Sequence, residues 1–410
     1  MKANIEISTL ANGLKVVSDY TSEFETVTLF MAFNVGSKNE KATTHGISHF
    51  IEHMLFKGTE TRTAKQISEE VENMGALQNA FTSKETTAYH IKCLKKDVKQ
   101  SFEILADMVL NSTFPEEEIE REKGVICQEI SMYNDSPDDI VFDYFFKSAI
   151  PTHRIGDCII GTNETVNSFT KDMAKEYMKA YYSPDNMIIA SCGNFPHNEL
   201  LKLSEEFFSK LTNKKTQYKT DTPSFAGGEL KKHKDSLEQT QFILGYKSLT
   251  AKDDQRFTAN IVANVLGGGM SSRLFQRIRE ELGLVYTISS GNEMYDDIGV
   301  FLIHAGLHSK DLSLLQENLK IEIEKIQNEL ISDEEYTRII NQTQAGIVMG
   351  LENTGSRARK LVGDFLKYGH YIDPNEILEK IKKTTKQDIQ KIANQIFSSE
   401  ASVCIYGNLD

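Results

Sequence analysis

Thr170-Lys-Asp-Met-Ala-Lys-Glu-Tyr-Met-Lys-Ala-Tyr181, followed by Met187-Ile-Ile-Ala-Ser-Cys-Gly193-Asn194, has a counterpart later in the chain. Thr385-Lys-Gln-Asp-Ile-Gln-Lys-Ile-Ala-Asn394 leads in the same way through Ser402-Val-Cys-Ile-Tyr406 to Gly407-Asn408. Each stretch reads as an amphipathic helix, a short linker, a buried strand and a Gly-Asn stop. The helix-to-glycine distances are 23 and 22 residues, and the two glycines lie 214 residues apart. In a chain of 410 residues that period predicts a tandem duplication, with two domains of like build.

The rest of each half mixes short strands with helices. Residues 5–8 and 14–17 flank Asn12-Gly13 and read as a hairpin, and residues 27–35 read as a further strand. Helical periodicity falls around 44–57, 63–74, 95–110, 115–133 and 170–180. Hairpins interleaved with helices predict an α+β protein of two tandem duplicated α/β-sandwich domains, each a mixed or antiparallel sheet packed with helices. The stretch Asn213-Lys-Lys-Thr-Gln-Tyr-Lys-Thr-Asp-Thr-Pro-Ser-Phe-Ala-Gly-Gly228 has turn formers and few apolar anchors. It is the expected linker, 213–228, between domains at 1–212 and 229–410.

Hydrophobic residues make up 40% and charged residues 26%, an ordinary globular balance. No apolar run approaches the roughly 20 residues of a membrane span, and the first residues lack a signal-peptide core. The net charge of −13 makes nucleic acid a poor partner and a basic peptide a suitable one. The five cysteines are scattered and form no Cys-x-x-Cys pair, so free thiols in a reducing cytoplasm are expected.

Chemistry concentrates in Gly46-Ile-Ser-His-Phe-Ile-Glu-His-Met-Leu-Phe-Lys-Gly58. Thr44 is the expected cap of a helix running to Gly58. His49 and His53, four apart, share one helix face and can grip one ion. Glu52 stands where it can reach a metal-bound water without being a ligand, in the order His-x-x-Glu-His. A catalytic zinc needs a third protein ligand and an open position. Pro115-Glu-Glu-Glu-Ile-Glu-Arg-Glu-Lys-Gly-Val-Ile-Cys-Gln-Glu-Ile-Ser131 supplies candidates. Glu122 and Glu129 share a face of that helix; Glu129, among Val125, Ile126 and Ile130, is expected to point inward, where a carboxylate needs a partner. Glu122 could orient a ligating histidine. Histidine spacing alone decides nothing: His304 and His308 have the same spacing in a stretch that reads as a strand ending in a turn. That pair is set aside as a decoy.

The block His49-Phe-Ile-Glu-His-Met-Leu-Phe-Lys-Gly-Thr59 resembles the signature of the pitrilysin/insulinase zinc peptidases, most closely the branch of the mitochondrial processing peptidase β-subunit and its bacterial relatives. The resemblance spans nearly the whole chain. It implies a glutamate ligand about 75 residues after the second histidine; Glu129 lies 76 beyond His53, with Glu122 as its supporting acid. Asn79, Ala80 and Phe81 resemble part of an edge strand that pairs with extended substrate. In the second half, Arg279 and Tyr286 match a pair that binds substrate backbone and stabilises the oxyanion.

The resemblance therefore implies a metalloendopeptidase with one Zn2+ per chain and a zinc-bound water activated by Glu52. Asp139 and Asp143 match acidic groups that hold an arginine near the scissile bond, and Phe56 matches a contact to the side chain after the cut. A basic oligopeptide or presequence-like substrate is the expectation. Asp139 has an alternative use, capping a helix with Ser136. Because one chain carries both motifs, a homodimer with a composite active-site chamber is implied. The long glycine-rich loop of dedicated processing partners is absent, with only Gly267 to Gly269 in its place. This favours general oligopeptide degradation. A non-catalytic structural subunit of the same fold is the alternative. Richness in Lys, Ile and Asn suggests an AT-rich bacterial genome, so that with the free thiols a bacterial cytoplasm is the expected location.

Overall fold

The computed structural model describes residues 3–212, 216 and 221–409. Eleven strands among them form two sheets. The first contains β1 (Ile5–Thr9), β2 (Lys15–Tyr20), β3 (Thr26–Phe33), β4 (Leu77–Thr82), β5 (Thr87–Leu94) and β6 (Met187–Gly193), in the order β1-β2-β6-β3-β5-β4. The second contains β7 (Gly228–His233), β8 (Thr240–Ser248), β9 (Val285–Met294), β10 (Gly299–Leu307) and β11 (Ser402–Gly407), in the order β7-β11-β8-β10-β9.

Apart from β1, the two orders are the same, strand for strand. In each, the only parallel pair joins the half's first shared strand to its last, β2 to β6 and β7 to β11. The expected duplication and the mixed-sheet α+β class are what the structure has. The shared Gly-Asn stops have a steric cause. A Cβ on Gly193 would sit 2.2 Å from the Thr26 carbonyl oxygen, and one on Gly407 would sit 2.4 Å from Thr240 Oγ1. The last strand of each half thus runs tightly past the start of its neighbour, β3 or β8. The helices before them, Lys171–Tyr181 and Lys386–Phe397, are both capped by a threonine side chain, Thr170 and Thr385.

β3 is buried on both faces. Leu29, Met31 and Phe33 join the large core that includes Ile47, Phe50, Phe102 and Ile126. Phe30 and Ala32 face the other way, with Val17, Ala88 and Ala190, against Ala358, Leu361, Val362 and Phe365 of the helix Thr354–Tyr368. Each fully buried Leu, Val or Phe contributes about 1.5–3 kcal/mol. The second sheet is covered in the corresponding way: Val141, Phe145 and Phe146 of the helix Pro137–Ala149 pack on Ile243, Val300, Leu302 and Tyr406. Gly245 makes room there, since a Cβ would lie 2.2 Å from Phe145 Cζ.

The compact units therefore do not follow a single cut between linear halves. One contains residues 1–131, 158–220 and 349–372; the other contains 132–157, 221–348 and 373–410. Within the proposed 213–228 linker, residues 213–215 and 217–220 lie outside the described residues, and Gly228 already opens β7. Among the described residues no helix is long and apolar enough to cross a membrane.

Candidate metal centre

The helix that carries the two histidines is shorter than the sequence suggested. Thr44 ends a 3-10 turn, Ala42–Thr44; Gly46, at φ +92°, opens the helix Ile47–Met54, and Gly58 at φ +125° lies in the turn beyond. The cap comes from Glu40. Its carboxylate accepts from the Gly46 N–H at 2.7 Å and the Ser48 N–H at 2.9 Å. This places negative charge at the positive end of the helix. Burial nevertheless pushes the Glu40 pKa up to about 7, against the lowering effect of those hydrogen bonds. Ile47, Phe50, Ile51 and Met54 anchor the helix to the core, and Ser48 Oγ meets Tyr177 Oη at 2.7 Å.

The opposite face presents His49 and His53, their ring centroids 4.6 Å apart. The helix Glu116–Asn134 brings Glu129 to both: Oε1 lies 3.7 Å from His49 Nε2 and Oε2 lies 3.7 Å from His53 Nε2. These distances are too long for hydrogen bonds. One atom from each residue lies within 4.8 Å of the other two. Among the described residues this is the one set of three His, Cys, Asp or Glu side chains close enough to share a metal ion. His49 Nδ1 is buried without a hydrogen-bond partner. Burial, helped by the charge of His53, pushes the His49 pKa down to about 3, keeping the ring neutral as a ligand must be. Two imidazoles and a carboxylate suit zinc and leave a position open.

Glu129 is placed as the spacing implied, but for a different reason. Its side chain is 41% exposed and Val125 is itself exposed; the inward residues of that helix are Ile119, Glu122, Lys123, Ile126 and Ile130. Glu122 is the buried acid. It accepts from His53 Nδ1 at 3.0 Å and from Lys57 Nζ at 2.7 Å. Burial works to raise its pKa, yet His53 and Lys57 hold it below the ordinary carboxylate value.

Glu52 projects beside the histidines and accepts from Thr82 Oγ1 at 2.5 Å. Thr82 ends β4, the edge strand. Burial raises the Glu52 pKa above its ordinary value; Thr82 and the charge of His53 oppose this, and the charge of Glu129 adds to it. On β4, Asn79 is exposed, Ala80 packs on the main core, and Phe81 lies under Arg359, 4.3 Å from ring centre to guanidinium. Phe56, half-buried, packs near Tyr89.

The remaining expected residues belong to the second unit. Arg279 lies in a π-helical turn, Phe275–Glu281, over the Phe275 ring, while Tyr286 is on β9. They do not share a helix. Tyr286 Oη meets His308 Nε2 at 2.7 Å, and His304 Nε2 meets Gln241 Oε1 at 2.9 Å, so that pair makes no joint site. Asp139 and Asp143 are one turn apart on the helix Pro137–Ala149, where Ser136 Oγ donates to Asp139 Oδ2 at 2.5 Å. Sequence reasoning missed the roles of Glu40, Lys57 and Thr82. Of these only Lys57, four residues after His53, carried a positional signal.

Residues 15–163 match the profile described as insulinase, peptidase family M16, and residues 168–343 match the profile described as the peptidase M16 inactive domain. The chain is 39% identical to an uncharacterized zinc protease of Rickettsia felis, over 100% of this chain and 99% of that one. It is 34% identical to an uncharacterized zinc protease of Bacillus subtilis, over 97% of each. Among solved structures, a protease from Helicobacter pylori aligns with a TM-score of 0.91 at 25% identity, over 99% of this chain and 100% of that one. A Pseudomonas fluorescens structure described as a peptidase M16 inactive domain aligns with a TM-score of 0.91 at 18% identity, a likeness of fold.

Proposed function

The chain belongs to the insulinase family of peptidases, M16, and on that premise we propose that it is a zinc metalloendopeptidase acting on peptides in extended conformation. The meeting of His49, His53 and Glu129, with Glu52 on the same helix as the histidines, carries this reading. Zinc held by the three would supply Lewis-acid polarisation of the scissile carbonyl and lower the pKa of a water to about 7. Glu52 takes the proton of the attacking water and returns it to the leaving nitrogen. Burial makes it a stronger base than an ordinary glutamate, and Thr82 turns its carboxylate to a fixed direction. Glu122 fixes the ring of His53.

Strand addition to β4, which lies at a sheet edge, suits substrate capture through backbone bonds, with Asn79, Ala80 and Phe81 along the contact. Arg279 and Tyr286 are assigned to substrate backbone and oxyanion, and Phe56 to the side chain after the cut. Asp139 and Asp143, together with the net charge of −13, support a preference for basic, Arg-containing or presequence-like peptides. A homodimer would let one chain's Arg279 and Tyr286 serve its partner's metal centre. The decisive experiment measures bound zinc together with hydrolysis of a quenched basic peptide, with and without chelator. Glu52→Gln should retain zinc and abolish turnover. Zinc bound without cleavage of any peptide tested would favour a non-catalytic subunit.

A further inference from the structure

The Glu122 side chain is 3% exposed, so its negative charge is enclosed. Its two oxygens are shared out. Oε2 receives His53 Nδ1 at 3.0 Å, and Oε1 receives Lys57 Nζ at 2.7 Å. A buried carboxylate held at one oxygen only can rotate about its last bond; held at both, it cannot. Lys57 is itself fixed. Its N–H bonds the Met54 carbonyl at 3.0 Å, closing the turn that ends the histidine helix, and its side chain is 27% exposed. Lys57 therefore supplies the second hydrogen bond and the counter-charge that an enclosed carboxylate needs.

We propose that Lys57 is a positioning residue of the metal centre, acting through Glu122 to hold His53 with its Nε2 turned toward His49 and Glu129. The three residues form a chain, Lys57 to Glu122 to His53, in which only the last is a ligand. Outer partners of a ligating histidine commonly set metal affinity by about 10- to 100-fold. The inference rests on the zinc reading given above.

The test is zinc affinity of the full chain, by competition with a chromophoric chelator, in wild type, Lys57→Met, Lys57→Arg, Glu122→Gln and the Lys57→Met/Glu122→Gln double variant. Lys57→Met should bind zinc at least tenfold more weakly, and Lys57→Arg should recover most of the loss. In the Glu122→Gln background, Lys57→Met should add less than twofold, because the link it acts through is already cut. The cobalt-substituted wild type and Lys57→Met proteins should differ in their visible spectra. Wild-type affinity in Lys57→Met overturns the inference, and so does an equal loss in both backgrounds. If Lys57→Met does not fold, Lys57→Ala takes its place: a tenfold loss with normal thermal stability supports the proposal and wild-type affinity overturns it. A wild-type protein that binds no zinc overturns the metallopeptidase reading itself, and this inference with it.

Discussion

Thr82, the last residue of the edge strand, donates its hydroxyl to Glu52 at 2.5 Å. The strand proposed to seat the substrate thus also orients the proposed base. That hydrogen bond stabilises the ionised carboxylate and lowers its pKa, while burial raises it. Thr82→Val should therefore raise the pKa further. Because the base must be ionised, the acid limb of the kcat/KM profile should move to higher pH, with activity lost first on the acidic side. An unmoved acid limb would remove Thr82 from this role.

Glu40 has a pKa raised by burial from 4.5 to about 7. The folded protein then binds this proton more tightly than the unfolded chain. Its contribution to stability is fully present below pH 4.5 and declines as pH rises from there through about 7. The gap corresponds to roughly 3 kcal/mol. Glu40→Gln should flatten this part of the stability curve, so that wild type loses ground to the variant between pH 5 and 8. Urea unfolding of both across that range measures it; parallel curves would contradict the assignment.

Arg357, from the helix Thr354–Tyr368, meets Asp19 of β2 with Nε at 2.8 Å and Nη2 at 2.6 Å. Both side chains are almost wholly enclosed, at 5% and 3% exposure. Removing one partner leaves a buried charge unpaired, at a cost of about 3–5 kcal/mol. Arg357→Met or Asp19→Asn should lower the unfolding free energy measured in urea by that amount, and Arg357→Met/Asp19→Leu should recover a large part of it.

Asp139 is exposed and already receives the Ser136 hydroxyl. Its effect on an arginine substrate is therefore modest, roughly fivefold in kcat/KM at most for a solvated ion pair. Asp139→Asn/Asp143→Asn should narrow the preference for an Arg peptide over its Ala analogue. Equal cleavage of the two peptides by wild type would end the basic-substrate proposal.

Local patterns were legible in the sequence because they depend on chain-neighbour geometry. Spacings of four and seven put His49 with His53, and Glu122 with Glu129, on shared helix faces. The repeated Gly-Asn stops marked strands that leave no room for a side chain. The apolar neighbours of Glu129 mislead, because periodicity finds a buried face without saying which residue sits at its edge; Glu122 is the enclosed one.

Groups brought together from distant parts of the chain could not be read that way. Glu40 caps the histidine helix, Thr82 reaches Glu52 from another strand, and Lys57 and His53 meet on Glu122, 69 residues beyond the histidine. The helices Pro137–Ala149 and Thr354–Tyr368 also pack on sheets formed mostly from the other half of the chain. The sequence alone determined which residues could serve as ligands and base, since residue type and helical period suffice for that. Tertiary structure decided which carboxylate lies between the two histidines and which charge holds its neighbour in place, because enclosure and counter-charge depend on the whole fold.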